Sequence, residues 1–116
     1  MEYKIQDIIG ENCITREDGE KLYNLIFHDL KDGNKVTLDF INIGVFTSPF
    51  FNTAIGPLFR DFSREDLRDH LIFENLNSVG RNLVKIVIEN SSKYFSDEQY
   101  RRVHDNILSQ HDDEEE

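Results

Sequence analysis

Tryptophan is absent from this 116-residue chain, and there are only one methionine, one cysteine and two prolines. With Cys13 the lone cysteine, no internal disulfide can form, which excludes the cross-linked scaffolds of small secreted domains. Glycine is equally sparse, and Gly10, Gly19, Gly33, Gly44, Gly56 and Gly80 all stand apart. No Gly-rich phosphate loop is therefore present, so nucleotide binding of the P-loop or Rossmann kind is not expected. The amino-terminal MEYKIQDIIG lacks the apolar run of a signal peptide. No stretch approaches the roughly 18 apolar residues of a membrane span, so a reducing cytoplasm is the expected compartment. Positive charge is also scarce. Thirteen Lys and Arg face 23 Asp and Glu, giving a formal net charge of -10. Such a surface repels phosphate backbones and anionic lipid, so neither nucleic acid nor membrane is an expected partner.

Half of that negative charge is local. Asp112, Asp113, Glu114, Glu115 and Glu116 form a terminal run that reads as a solvated tail, leaving about -5 for the rest. Residues 1–110 are expected to form one domain, with 111–116 as the acidic tail. The core must come from nine Phe, four Tyr and the aliphatic residues within a 38% hydrophobic composition.

The pattern along the chain alternates strands with helices. Tyr3 to Ile9 reads as a strand and Gly10-Glu11-Asn12 as a turn. Thr15-Arg16-Glu17-Asp18 is a capping box opening a helix whose inward stripe is Leu22, Leu25, Ile26 and Leu30. Asp32-Gly33-Asn34 ends it. Lys35 to Ile43 follows as a strand in which Val36, Leu38 and Phe40 alternate with Thr37, Asp39 and Ile41. Both of its faces are largely apolar, as expected of a central strand covered on two sides. Ser48-Pro49 looks like an N-cap followed by proline, starting a helix with Phe51, Ala54, Ile55, Leu58 and Phe62 on one stripe. Pro57 should kink it near Gly56-Pro57, the alternative being two separate short helices. Ser63 caps a short helix before the strand Leu71 to Asn75. Asn77 or Ser78 caps a longer helix with the stripe Val79, Leu83, Ile86, Val87, Asn90 and Tyr94. Ser96-Asp97-Glu98-Gln99 opens a last helix with Tyr100, Val103, Ile107 and Leu108 inward. The order β, α, β, α, β, α, α implies parallel crossovers in a small α/β domain.

Few residues carry chemistry on their own. Cys13 has no neighbouring base to activate it and reads as a buried bystander. His28, His70, His104 and His111 show no metal spacing, so no metal and no cofactor is expected. Asp39, at the end of its strand, reads as a solvated or loop-capping carboxylate. Phe50, Phe51, Phe59 and Phe62 cannot share one stripe. Either the second helix is covered on several sides within the monomer, or Phe50 or Phe59 serves an apolar partner or dimer surface.

The segment KVTLDFINIGVFTSPFFNTAIGPLFR, Lys35 to Arg60, resembles the STAS-like domains of bacteria, relatives of the anti-sigma-factor antagonists. Its carriers are the Asp39-Phe40 pair ending a strand, a turn with Thr47 and Ser48, and a Phe-rich helix start. The preceding REDGEKL and GNKV segments and the later LVKIVIENSSKYF are also similar. The resemblance implies a small STAS-like sandwich, with a short mixed sheet of three to four strands packed against about four helices. In the antagonists the matching turn is Asp-Ser-Ser-Gly, with the second serine phosphorylated. Here Thr47 stands in the Asp place, Ser48 in the first Ser place, Pro49 in the phosphoacceptor place and Phe50 in the Gly place. The phospho-switch is therefore in doubt while the fold expectation is not.

The resemblance further implies a regulatory, non-enzymatic module whose partner is a protein, such as a histidine-kinase-type ATPase or an anti-sigma-like protein. Its expected contact face is the Val45-to-Phe51 turn with the start of the second helix, and the residues singled out are Thr47, Ser48, Phe50 and Asp39. Two other readings compete. One is a structural homo-oligomer, such as a homodimer, held by Phe-rich helix faces. The other is a small enzyme built on Asp39, Ser48 and a histidine.

Overall fold

The structure, a computed structural model, describes residues 1–96. The last helix expected beyond Ser96, with Tyr100, Val103, Ile107 and Leu108, and the acidic run from Asp112 lie outside the described residues. Eleven elements follow one another: β1 (Glu2–Lys4), α1 (Ile5–Ile8), β2 (Asn12–Cys13), α2 (Arg16–Lys31), β3 (Val36–Asp39), β4 (Val45–Phe46), α3 (Ser48–Ala54), a 3-10 segment (Gly56–Arg60), α4 (Arg64–His70), β5 (Leu71–Glu74) and α5 (Ser78–Ser96).

The strands form two parallel sheets, β1-β3-β5 and β2-β4. The expected single mixed sheet is thus replaced by three strands and two strands, all parallel. In the larger sheet, β1 to β3 to β5 steps twice in the same direction. Right-handed crossovers that step the same way put their helices on the same face. Accordingly Val36, Leu38 and Phe40 are fully buried, while Thr37 and Asp39 are half-buried and Ile41 is exposed. The central strand is covered on one face, not on two as its apolar pattern suggested.

Helix α2 begins where the capping box placed it, with Thr15 Oγ1 accepting from the Asp18 amide at 3.1 Å. Leu22, Ile26 and Leu30 are buried and Leu25 is exposed. Each buried aliphatic side chain stabilises the fold by about 1.5–3 kcal/mol. Gly19 lies where α2 meets α3. A Cβ there would stand 2.6 Å from the Phe50 carbonyl oxygen and 2.9 Å from Thr53 Cβ, so only glycine lets the two helices approach this closely. Tyr3 ties β1 to α2 by donating its hydroxyl to the Asp29 carboxylate. That bond, burial and the Asp29 charge push the phenol up to about 12.

Three segments differ from the sequence pattern. The strand expected from Tyr3 to Ile9 stops at Lys4, and Ile5–Ile8 is a helical turn that buries Ile5. At Gly56-Pro57 the α-helix does not kink and continue. It becomes a 3-10 helix, whose i+3 bonds do not need the amide that proline lacks. Helix α5 is capped by Asn77, whose side chain accepts from the Gly80 amide at 2.8 Å, but its inward face is rotated from the expected stripe. Val87 is buried and Leu83 packs on the core as expected, but Gly80 and Val84 are buried beside them, whereas Val79 and Ile86 are exposed. Gly80 permits this phase, since a Cβ there would meet Leu76 at 2.6 Å.

Phe40, Phe46, Phe50, Phe51 and Phe73 meet in one cluster. Phe40 packs against Phe46, Phe51 and Phe73 at centroid separations of 5.7, 6.1 and 6.2 Å, and Phe51 against Phe50 at 5.2 Å. Phe50, Phe51 and Phe59 are all buried within the monomer. The second helix is therefore covered on several sides, and a homo-oligomer held by those rings would have no exposed rings to use. Among the described residues, no helix is long and apolar enough to cross a membrane.

Candidate interaction site

The turn between β3 and α3 is built by short local bonds. Asp39 Oδ1 accepts from the Ile41 amide at 3.0 Å and from Asn75 Nδ2 at 2.9 Å, joining the ends of β3 and β5. These two bonds, the Asn75 one first, hold its carboxyl below the usual carboxylate range, with Lys4 contributing. Asn42 (φ 65°) and Asn75 (φ 56°) turn the backbone through the left-handed region, which asparagine tolerates better than most residues. Asp39 is thus the loop-capping carboxylate of the sequence reading.

The chain then enters β4, where Val45 and Phe46 pair with Asn12 and Cys13. Strand pleating sends Cys13 and Phe46 inward, buried, and Asn12 and Val45 outward. Burial, aided by the Asp18 charge, pushes the Cys13 thiol up to about 12, so it is not a nucleophile near neutral pH. Thr47 prolongs the ribbon. Its amide donates to the Cys13 carbonyl at 3.1 Å, and its hydroxyl donates to the Ile14 carbonyl at 2.5 Å while accepting from the Phe50 amide at 3.4 Å.

Thr47, not Ser48, is therefore the N-cap of α3. Ser48 and Pro49 occupy the first two helical positions and both are exposed. The reason is the pairing with β2, which holds Thr47 extended and so leaves it as the last residue before the helix. Phe50, expected on the contact face, is fully buried and cannot present its ring to a partner. It sits against Phe51 and beside Gly19, inside the α2–α3 junction.

Three aliphatic side chains of the ribbon and the β3–β4 turn are exposed instead. Ile14 is 42% exposed, Ile41 39% and Val45 46%. Sequence reasoning put Val45 in the contact turn but missed Ile14 and the outward strand position of Val45, because a two-residue strand is too short to show alternation. The available signal was the β-branched character of Cys13-Ile14-Thr15 and of Gly44-Val45-Phe46-Thr47, each bounded by a turn or cap.

Among the described residues, no hydrogen bond joins Asp39 or Ser48 to His28 or His70. His28 lies on α2 beside Phe27, and a ring nitrogen of His70 lies 2.8 Å from the Asp66 carbonyl oxygen. His104 and His111 are outside the described residues. Among those described, no three His, Cys, Asp or Glu side chains gather as a metal ion would need.

The model of a family described as a STAS-like domain of unknown function (DUF4325) matches residues 18–81. That span runs from α2 into the start of α5 and contains β3, the turn with Thr47 and Ser48, and β5. No curated protein and no solved structure matches the chain. With more than half of its length matched, this α/β chain belongs to the family of STAS-like domains of unknown function.

Proposed function

We propose that the domain is a non-catalytic regulatory module that binds a protein partner through the surface around the β4–α3 turn. The observation that carries this reading is the placement of Ile14 and Val45. Both β-branched side chains are exposed, Val45 on β4 and Ile14 directly after β2, where its carbonyl accepts from the Thr47 hydroxyl one residue before Ser48. Apolar side chains held rigidly at the surface lose little entropy on binding, which favours recognition. The contact face of the reading is Ile14, Val45, Thr47 and Ser48, with Asp39 holding the neighbouring loop. Phe50 supports it from below.

The resemblance to anti-sigma-factor antagonists makes a histidine-kinase-type ATPase or an anti-sigma-like protein the first partner class to try. Pro49, in the phosphoacceptor place, makes the reading one of binding and not of a phosphorylated serine switch. The test is site-specific photocrosslinking in the native host, with benzoylphenylalanine at Val45 and, as control, at the exposed Glu20 of α2. A discrete adduct from position 45 that is absent from position 20 supports the reading. No adduct from 45, or the same adducts from both, overturns it.

A further inference from the structure

A groove runs between α4 and β5 on one side and α5 on the other, in two adjoining clefts of about 310 and 320 Å³ that share Arg64, Phe73 and Ile88. Its floor is apolar, formed by Ile55, Leu71, Phe73, Leu76 and Ile88. Its rim is not. Arg64 and Arg68 stand four residues apart on α4, and Arg81 and Lys85 four residues apart on α5, so each wall carries two cations on one helical face. The chain has 13 Lys and Arg against 23 Asp and Glu, yet among the described residues four of those cations line this groove with one carboxylate, Glu89. Among the described residues, no carboxylate lines the first cleft. In so acidic a protein this is a local reversal of charge over an apolar floor. β5, which supplies Leu71 and Phe73, is also an edge strand of its sheet.

We infer that this groove is a second binding site, and that its occupant is an extended partner segment in which apolar side chains interleave with carboxylates. The apolar side chains would fill the floor, where Phe73 and Ile88 are only partly covered. The carboxylates would meet the two cationic walls, and the backbone would pair with the outer edge of β5. Both cationic pairs flank the floor, so a segment with acidic groups on either side of its apolar residues satisfies them together. The site is separate from the β4–α3 surface: neither Ile14, Val45, Thr47 nor Ser48 lines it.

The test uses the full chain and a fluorescein-labelled synthetic peptide in which leucine and glutamate alternate. Two peptides of the same length serve beside it, one alternating leucine with lysine and one serine with glutamate. Fluorescence anisotropy should show saturable binding of the leucine–glutamate peptide alone. Arg64→Glu and Arg81→Glu, one on each wall, should each weaken it by about tenfold or more. Thermal melts of the two variants check that the fold survives, and either one suffices if the other does not fold. Val45→Asp should leave peptide binding unchanged, which separates this inference from the proposed function. Equal binding of the lysine peptide, or of the serine–glutamate peptide, would overturn the proposal, as would indifference to both arginine reversals. A chain lacking residues 111–116 completes the test. Unchanged affinity supports a partner segment, whereas a large gain would assign the groove to the chain's own acidic end and overturn it.

Discussion

In the three-stranded sheet Val36, Leu38 and Phe40 turn inward and are fully buried, whereas in the β2–β4 ribbon Val45 turns outward and is 46% exposed. Both sheets are parallel and both rest on the same phenylalanine cluster, through Phe40 in one and Phe46 in the other. What differs is what lies over each. The helices carried by the crossovers cover the inner face of the larger sheet. The ribbon lies at the margin, and its outer side chains are left to solvent. Aliphatic side chains of the same kind thus stabilise the fold in one place and offer a contact in the other. Substitutions in the two regions should therefore separate stability from binding.

The largest effect is expected in the sheet. Leu38→Ala removes a fully buried side chain and should cost roughly 2–5 kcal/mol in chemical denaturation. Asp39→Asn, one residue on, should cost far less, because that carboxylate only fastens an exposed turn. Equal losses from the two would break the contrast between buried face and loop. Next comes Gly19→Ala. In an exposed helix interior it would stabilise by about 1 kcal/mol through helix propensity. Here the new methyl meets the backbone of α3, and separating α2 from α3 should give a net loss of about 1–3 kcal/mol. A gain would show that the close helix approach is not needed.

A smaller effect is expected at alkaline pH. The Tyr3 phenol is raised from 10.0 to about 12 in the fold, so the fold favours its neutral form. Its contribution is fully present below pH 10 and is lost as pH rises from 10 toward 12. Denaturation midpoints of the parent should fall across that window more steeply than those of Tyr3→Phe. Parallel curves would remove the Tyr3–Asp29 bond from the account.

The capping boxes at Thr15 and Ser63 were legible in the sequence because the helix start is written into four adjacent residues. So were β3, β5 and the inward faces of α2 and α3, where three or more apolar residues repeat in phase. The ribbon was not, since its two-residue strands exist only because Cys13 and Phe46 find each other across the chain. The same pairing moved the cap of α3 from Ser48 to Thr47, so Thr47, Ser48 and Asp39 were found on the surface but Phe50 was not. The phase of α5 escaped for a related reason. Val79 and Ile86 are as apolar as Val84, and Gly80 decides between them by close approach, which periodicity does not register.

The proposed contact surface is tested most directly by one paired measurement on Val45→Asp and Ser48→Asp: calorimetric affinity for the partner crosslinked from position 45, with a thermal melt of each variant. Both side chains are exposed, and an acidic residue in the first turn of α3 suits the helix dipole, so the melts should match the parent's closely. Affinity should fall by about 1–3 kcal/mol as a desolvated charge enters the contact. Glu20→Lys, on α2, should change neither. Full affinity in both acidic variants, with loss in the Glu20 variant, would put the contact on α2 and contradict the account.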